Sequence, residues 1–292
     1  KKEYKEVIDI FRRSQVKGDG EKEADRLMIA ARAYMKLKQP SEALMLFRDV
    51  EKLVKPEKDT AFYASYYRLL CFFQIEGHHV PDQVDAFLQL YRKARPDDVR
   101  IHTALMMKAE TLFSDKKTAE AAKVYSEINA GIISENNRPG LLYQRGWCLS
   151  EAGDAQGAIR SLSEFIAKYP KDSRVPSAYA KRAKAYSESS EPAKAIADFD
   201  YLTGPGNPED LSSYAWLESA RLRRSESNIP DMIVRYQGLL KNAKGFSDNV
   251  VAVANVSGEI ANRLDGMDAT DQRAIDIGHG KDLNGMPALE VR

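Results

Sequence analysis

Six times between residues 24 and 249 the chain repeats one helical pattern, with a small residue between large ones in five of the six copies, and no other feature constrains its fold as tightly. Counted from starts at Ala24, Tyr63, His102, Pro139, Pro176 and Ser213, the copies lie 39, 39, 37, 37 and 37 residues apart. The fourth position reads Leu27, Tyr66, Leu105, Leu142, Tyr179 and Trp216. The eighth reads Ala31, Leu70, Ala109, Gly146, Ala183 and Ala220, and the eleventh Tyr34, Phe73, Leu112, Leu149, Tyr186 and Arg223. A second segment in each copy repeats the idea, with two extra residues in copy two at "GHHVPD". Its small site is Ala43, Val84, Ala121, Ala158, Ala195 and Met232, followed four residues on by Phe47, Leu88, Tyr125, Leu162, Phe199 and Tyr236. Steps of three and four make an apolar stripe on a helix, and the stripe needs something to pack against. Small residues let two helices approach while the large ones fill the space around them. Each copy therefore reads as a helix-turn-helix hairpin stacked on its neighbours.

Punctuation agrees. Pro40, Pro81, Pro192 and Pro230 fall where second helices should begin, a place that tolerates a missing N–H. Copy four uses Gly153-Asp154 for the same turn. Pro56, Pro96, Pro170 and Pro208 follow second helices and stop them. Strand signals are absent. The organisation expected is a partial preceding hairpin (second helix) over 1–23, six repeats over 24–249, a capping helix over 250–267 and an irregular tail or linker over 268–292. The incomplete first hairpin and the aperiodic end lead us to expect a fragment of a longer protein.

The form "A…L..FI..YPKDS….AY.KRAKAY" over residues 158–186 resembles the tetratricopeptide repeat, whose usual period is about 34 residues. It is similar to bacterial envelope versions, of the outer-membrane assembly lipoprotein and Tol-Pal accessory protein type. The resemblance implies an all-α fold, a right-handed superhelical solenoid of about six such hairpins plus flanking helices. Leu70 at the small site and Arg223 at position 11 depart from the pattern.

Catalytic equipment is sparse. The 44 basic residues nearly balance 43 acidic ones, so charge gives no reason to expect nucleic acid as partner. No uncharged apolar run approaches the ~20 residues of a membrane span. Cys71 and Cys148 lack metal-ligand spacing and read as packing or groove residues rather than nucleophiles. His78-His79 lack the i, i+4 spacing of a two-histidine metal site and read as solvated loop residues; His102, opening a helix, reads as a surface residue. "TGPGNP" (203–208) follows a helix and lacks the lysine of a phosphate loop, so it is a turn. Asn255-Val256-Ser257 falls in a helix and is discounted as a glycosylation acceptor. No cofactor and no catalysis are expected.

By resemblance, certain positions of each first helix line a concave channel. Here they give Met28, Arg32 and Met35, then Tyr67, Cys71 and Gln74, then Met106, Glu110 and Phe113. Copies four to six add Tyr143, Trp147, Glu151, Lys184, Tyr214, Leu217, Arg221 and Arg224. The middle is aromatic and the end basic, which suits an extended peptide or a short helix. Trp147, flanked by Phe113 and Lys184, is the expected anchor; the competing reading is that Tyr143 and Trp147 pack on a neighbouring copy or the tail. The lysine and asparagine arrangement that clamps a partner's terminal carboxylate in chaperone-binding members is missing. The function expected is a non-catalytic scaffold holding a protein or peptide partner, in a bacterial envelope assembly. The alternative is an interaction module of a larger enzyme or regulator whose activity lies elsewhere. Resemblance places the chain in the periplasm or at the outer membrane, with the cytoplasm as the alternative. Gly146→Leu should overpack copy four and lower its stability by about 1–3 kcal/mol, read from thermal melts against the parent.

Overall fold

A computed structural model of the chain describes residues 1–14, 20–75 and 80–242, which hold thirteen α-helices and no strand. The chain divides into two compact units, Lys1–Ala152 and Gly153–Arg292. The first holds α1 (Lys2–Arg13), α2 (Gly20–Lys36), α3 (Pro40–Leu53), α4 (Asp59–Ile75), α5 (Val80–Tyr91), α6 (Val99–Ser114), α7 (Thr118–Ser126) and α8 (Arg138–Glu151), and each helix from α1 to α7 packs on the one that follows. The second holds α9 (Ala155–Lys168), α10 (Val175–Glu188), α11 (Pro192–Thr203), α12 (Glu209–Ser225) and α13 (Ile229–Asn242), joined in the same manner. Consecutive first helices also touch, α2 with α4 and α4 with α6, and α10 with α12. Residues 78–79, His279 and the segments 250–267 and 268–292 lie outside the described residues. No described helix is long and apolar enough to cross a membrane.

The core follows the repeat. Ala31, Ala109, Ala183 and Ala220 at the small site of the first helices are fully buried, as are Ala43, Ala121, Ala158 and Ala195 on the second. Gly146 is buried too. Phe47, Tyr125, Phe165 and Phe199 fill the space beside them. Met232, the large exception in copy six, is offset nearby: Gly238 brings its backbone under the Trp216 ring, where an added Cβ would sit 2.8 Å from the ring. Arg223, the other exception, reaches Asp231 of α13 (2.5 Å) and Glu226 (2.9 Å), so an ion pair replaces the usual aromatic contact.

Copy two sits one residue earlier than the sequence pattern places it. Leu69, not Leu70, is buried at the small site (1% exposed), and Phe73 is 37% exposed. Starting that copy at Phe62 brings Cys71 level with Ala33, Thr111, Cys148 and Ala185, all buried. His102 is likewise not a surface residue. It is 7% exposed, and its Nδ1 accepts a hydrogen bond from the Asn129 amide (3.3 Å). Its first position in the copy is a core position, shared with buried Ala24, Phe62 and Ser213.

Five of the hairpins close with the same turn. Lys38, Lys116, Gly153, Ser190 and Ser227 occupy the fifteenth position of five copies, and all have φ between 57° and 82°. The next amide reaches back five residues, Gln39 to Tyr34, Lys117 to Leu112, Glu191 to Tyr186 and Asn228 to Arg223, at 2.9–3.0 Å. That is a Schellman closure, in which a left-handed residue lets the last carbonyls of a helix find donors. Side chains with a Cβ resist this conformation, and only glycine adopts it freely. Ser190→Gly should therefore raise stability by about 0.5–1 kcal/mol, and Gly153→Ala should lower it by about as much, in urea titrations of the whole chain.

Candidate functional site

On α6 the burial pattern leaves one open face. Ala104, Met107 and Thr111 are buried along one stripe, Leu105, Ala109 and Leu112 along another. Lys108 is drawn to Asp85 of α5 (2.6 Å). Thr103, Met106, Glu110 and Phe113, spaced three and four apart, remain half-exposed. The same repeat positions on α2 are Met28, Arg32 and Met35; on α8 they include Tyr143 and Trp147. None of these is fully buried. In the first unit the open face of the first helices is therefore rich in methionine and aromatic rings, with Asp25, Arg32, Glu110 and Glu151 among its charged members.

Copy two contributes different residues from those expected. With the register moved by one, Tyr66, Leu70 and Phe73 take the open positions in place of Tyr67, Cys71 and Gln74. Tyr67 stacks on Phe47 of α3 (ring centroids 5.6 Å apart), the contact that Gln144 of α8 makes with Tyr125 of α7. It belongs to the seam between copies, and Arg32 lies over its outer face at 5.8 Å. Cys71 is 0% exposed and cannot line a channel. Burial pushes the Cys71 and Cys148 thiols up to about 12, so both stay protonated at neutral pH and neither is an activated nucleophile. Among the described residues no cluster of three histidine, cysteine or carboxylate groups is placed to hold a metal.

Tyr143 and Trp147 stand one turn apart on α8. Tyr143 and Trp147 meet edge to face, ring centroids 5.8 Å apart, and both stay half-exposed. In the second unit Tyr214, Leu217, Lys184, Arg221 and Arg224 keep exposed surface, but the basic character expected there is muted. Arg221 pairs with Glu218 (2.7 Å) and Lys184 lies 3.8 Å from Glu188, each on its own helix. Tyr214 leans edge-on against Phe199 of α11 (5.9 Å), so part of its ring belongs to the core.

Glu110 stands apart from these pairs. Burial holds its carboxyl above the ordinary carboxylate range. Its helix neighbours one turn away are Met106, Met107, Phe113 and Ser114, none of them a cation. Sequence periodicity put it on the channel face; its lack of an ionic partner among the described residues is what the periodicity did not single out.

The fold and this open stripe define a helical-repeat protein, a class whose stacked hairpins present extended surfaces to other proteins. Residues 141–172 match the tetratricopeptide repeat family. Among solved structures, the apo form of RapI is similar at a TM-score of 0.50 and 13% identity, covering 89% of this chain and 80% of that one. The C-terminal part of a TPR repeat-containing protein from Cytophaga hutchinsonii is similar at 0.48 and 18% identity, over 84% of this chain and 97% of its own. YrrB, a TPR protein with an unusual peptide-binding site, is similar at 0.48 and 16% identity, over 61% of this chain and 84% of its own. No curated protein matches the sequence.

A carboxyl whose folded-state pKa is raised gives a stability contribution that is present below its unfolded value and lost as pH climbs through the folded one. Glu110→Gln removes that loss. The variant should melt above the parent at pH 7, with the gap closing towards pH 4, in calorimetric scans at several pH values.

Proposed function

We propose that the chain is a non-catalytic scaffold that captures a protein or peptide segment on the open face of its first helices. The observation that carries this reading is the half-exposed row Met28, Met35, Tyr66, Leu70, Phe73, Met106, Phe113, Tyr143 and Trp147. Apolar and aromatic side chains held on rigid helices lose little entropy on binding, and methionines adapt to the shape of what they meet. A segment laid across several first helices would anchor large side chains among the rings and take its orientation from Arg32 and Glu110. The chain's near-neutral balance of charge fits recognition by shape and apolar contact rather than broad electrostatic attraction.

The reading extends to a place in a bacterial envelope assembly, periplasmic or at the outer membrane. Its support is the likeness of residues 158–186 to envelope members of the repeat family.

Trp147 is the proposed central anchor. Peptides selected from a displayed random library on the full chain should lose about 2 kcal/mol or more, roughly 30-fold in Kd, with Trp147→Ala. They should bind Met45→Asp, changed on the exposed outer side of α3, as they bind the parent. Equal affinity for a folded Trp147→Ala variant would move the site elsewhere, and a large fall in its Tm would make Trp147 a core residue.

A further inference from the structure

Four charged side chains occupy the ninth position of the first helices: Arg32, Glu110, Lys184 and Arg221. Three are accommodated within the chain. Arg221 pairs with Glu218, Lys184 approaches Glu188, and Arg32 lies over the Tyr67 ring. Glu110 has no such answer among the described residues. Two basic groups on neighbouring segments are engaged elsewhere, Lys108 with Asp85 (2.6 Å) and Arg92 with Glu127 (2.6 Å). The nearby Tyr125 hydroxyl donates its hydrogen to Gln144 Oε1 (3.1 Å) rather than to the carboxylate. Tyr125 nevertheless feels the Glu110 charge, which adds to burial in holding its hydroxyl protonated. Tyr125 lies on α7, which packs against both α6 and α8, so Glu110 stands close to the helix that carries Tyr143 and Trp147.

A carboxylate half withdrawn from water and left without a cation costs stability, and a charge-assisted hydrogen bond from outside recovers it. The surroundings also suit a cation's stem. Met106 and Phe113 flank Glu110 on the same open stripe, and long basic side chains bury their methylenes along such surfaces while the head stays on a charge. Resting on the reading of this stripe as a binding face, we propose that its α6–α8 part selects partner segments bearing a lysine or arginine whose cation seats on Glu110 beside Met106 and Phe113. The apolar row then supplies affinity, and Glu110 supplies register and choice of partner.

The test is a positional-scanning library of 12-residue peptides, each with one position fixed as Lys, Arg, Gln, Glu or Leu, panned on the full 292-residue chain. The parent should enrich Lys and Arg at one position within an apolar sequence. Glu110→Gln should lower that enrichment about tenfold, which corresponds to about 1.4 kcal/mol of discrimination. Glu110→Lys should turn the preference towards Glu, the signature a merely structural role would not produce. Melting scans of both variants confirm that they are folded. If Glu110→Gln retains the basic preference while Trp147→Ala still abolishes recovery, the Glu110 assignment is overturned and the binding face stands. If peptides bind Trp147→Ala and Phe113→Ala as they bind the parent, or none is recovered, both readings fall together.

Discussion

Everything in this chain depends on how closely two helices of a hairpin can approach. In most copies alanine or glycine at the eighth position of the first helix, and alanine at the small site of the second, removes the side chains that would hold the axes apart. Phe47, Tyr125, Phe165 and Phe199 then fill the wedge on either side, and all are buried. Because the small and large residues sit three and four apart, one rotation of each helix satisfies the contact and every other face is assigned by it. One stripe meets the partner helix, one meets the preceding copy, and one is left open. The binding face is thus what remains when the packing rules have been met.

Polar groups fix the register that apolar packing leaves loose. Arg182 on α10 reaches Asp198 on α11 through two contacts of 2.7 Å and Ser163 on α9 at 3.0 Å. Desolvation holds Asp198 above its ordinary value even with that partner, while Arg182, although burial opposes it, is held above its own by the hydrogen bond to Asp198, so the clear effect of the pair is orientation. Arg68 plays the same part in the first unit, meeting Glu51 of α3 (3.1 Å) and Gln83 of α5 (3.4 Å). Arg68, Lys108 and Arg182 occupy the same seventh position of their copies, and each holds a side chain of a neighbouring second helix. A translational slip along either helix would break these contacts before it broke the core.

The fold was legible because period, small sites and prolines agree. Copy two shows where such reading fails. Its first helix contains "YYRLLCFF", residues 66–73, in which every tyrosine, leucine and phenylalanine has an identical neighbour. A shift of one therefore preserves the pattern, and only burial tells Leu69 from Leu70 or Phe72 from Phe73. His102 gave no signal because the first position of a copy accepts Ala, Phe, His, Pro or Ser. The left-handed turn was readable at Gly153 alone, since Lys38, Lys116, Ser190 and Ser227 take that conformation against their own preference. On the binding face the sequence did carry one usable sign. Lys184 and Arg221 have acids one turn away, whereas Arg32 and Glu110 have no opposite charge there, so spacing narrows the unanswered charges to two and only burial separates Glu110 from the exposed Arg32.

The central claim is that packing leaves a single open stripe on each first helix, and that on α4 this stripe runs through Leu70 and Phe73. Single cysteines introduced in turn at positions 69, 70 and 73, in a background where Cys71 and Cys148 are alanine, test it by their rate of modification with a soluble thiol reagent. Cys71 alone, in the Cys148→Ala protein, completes the set. The account predicts fast modification at 70 and 73 and slow modification at 69 and 71, with all four reacting alike in denaturant. Fast reaction at 71 with protection at 70 would restore the other register and contradict the assignment of the open face.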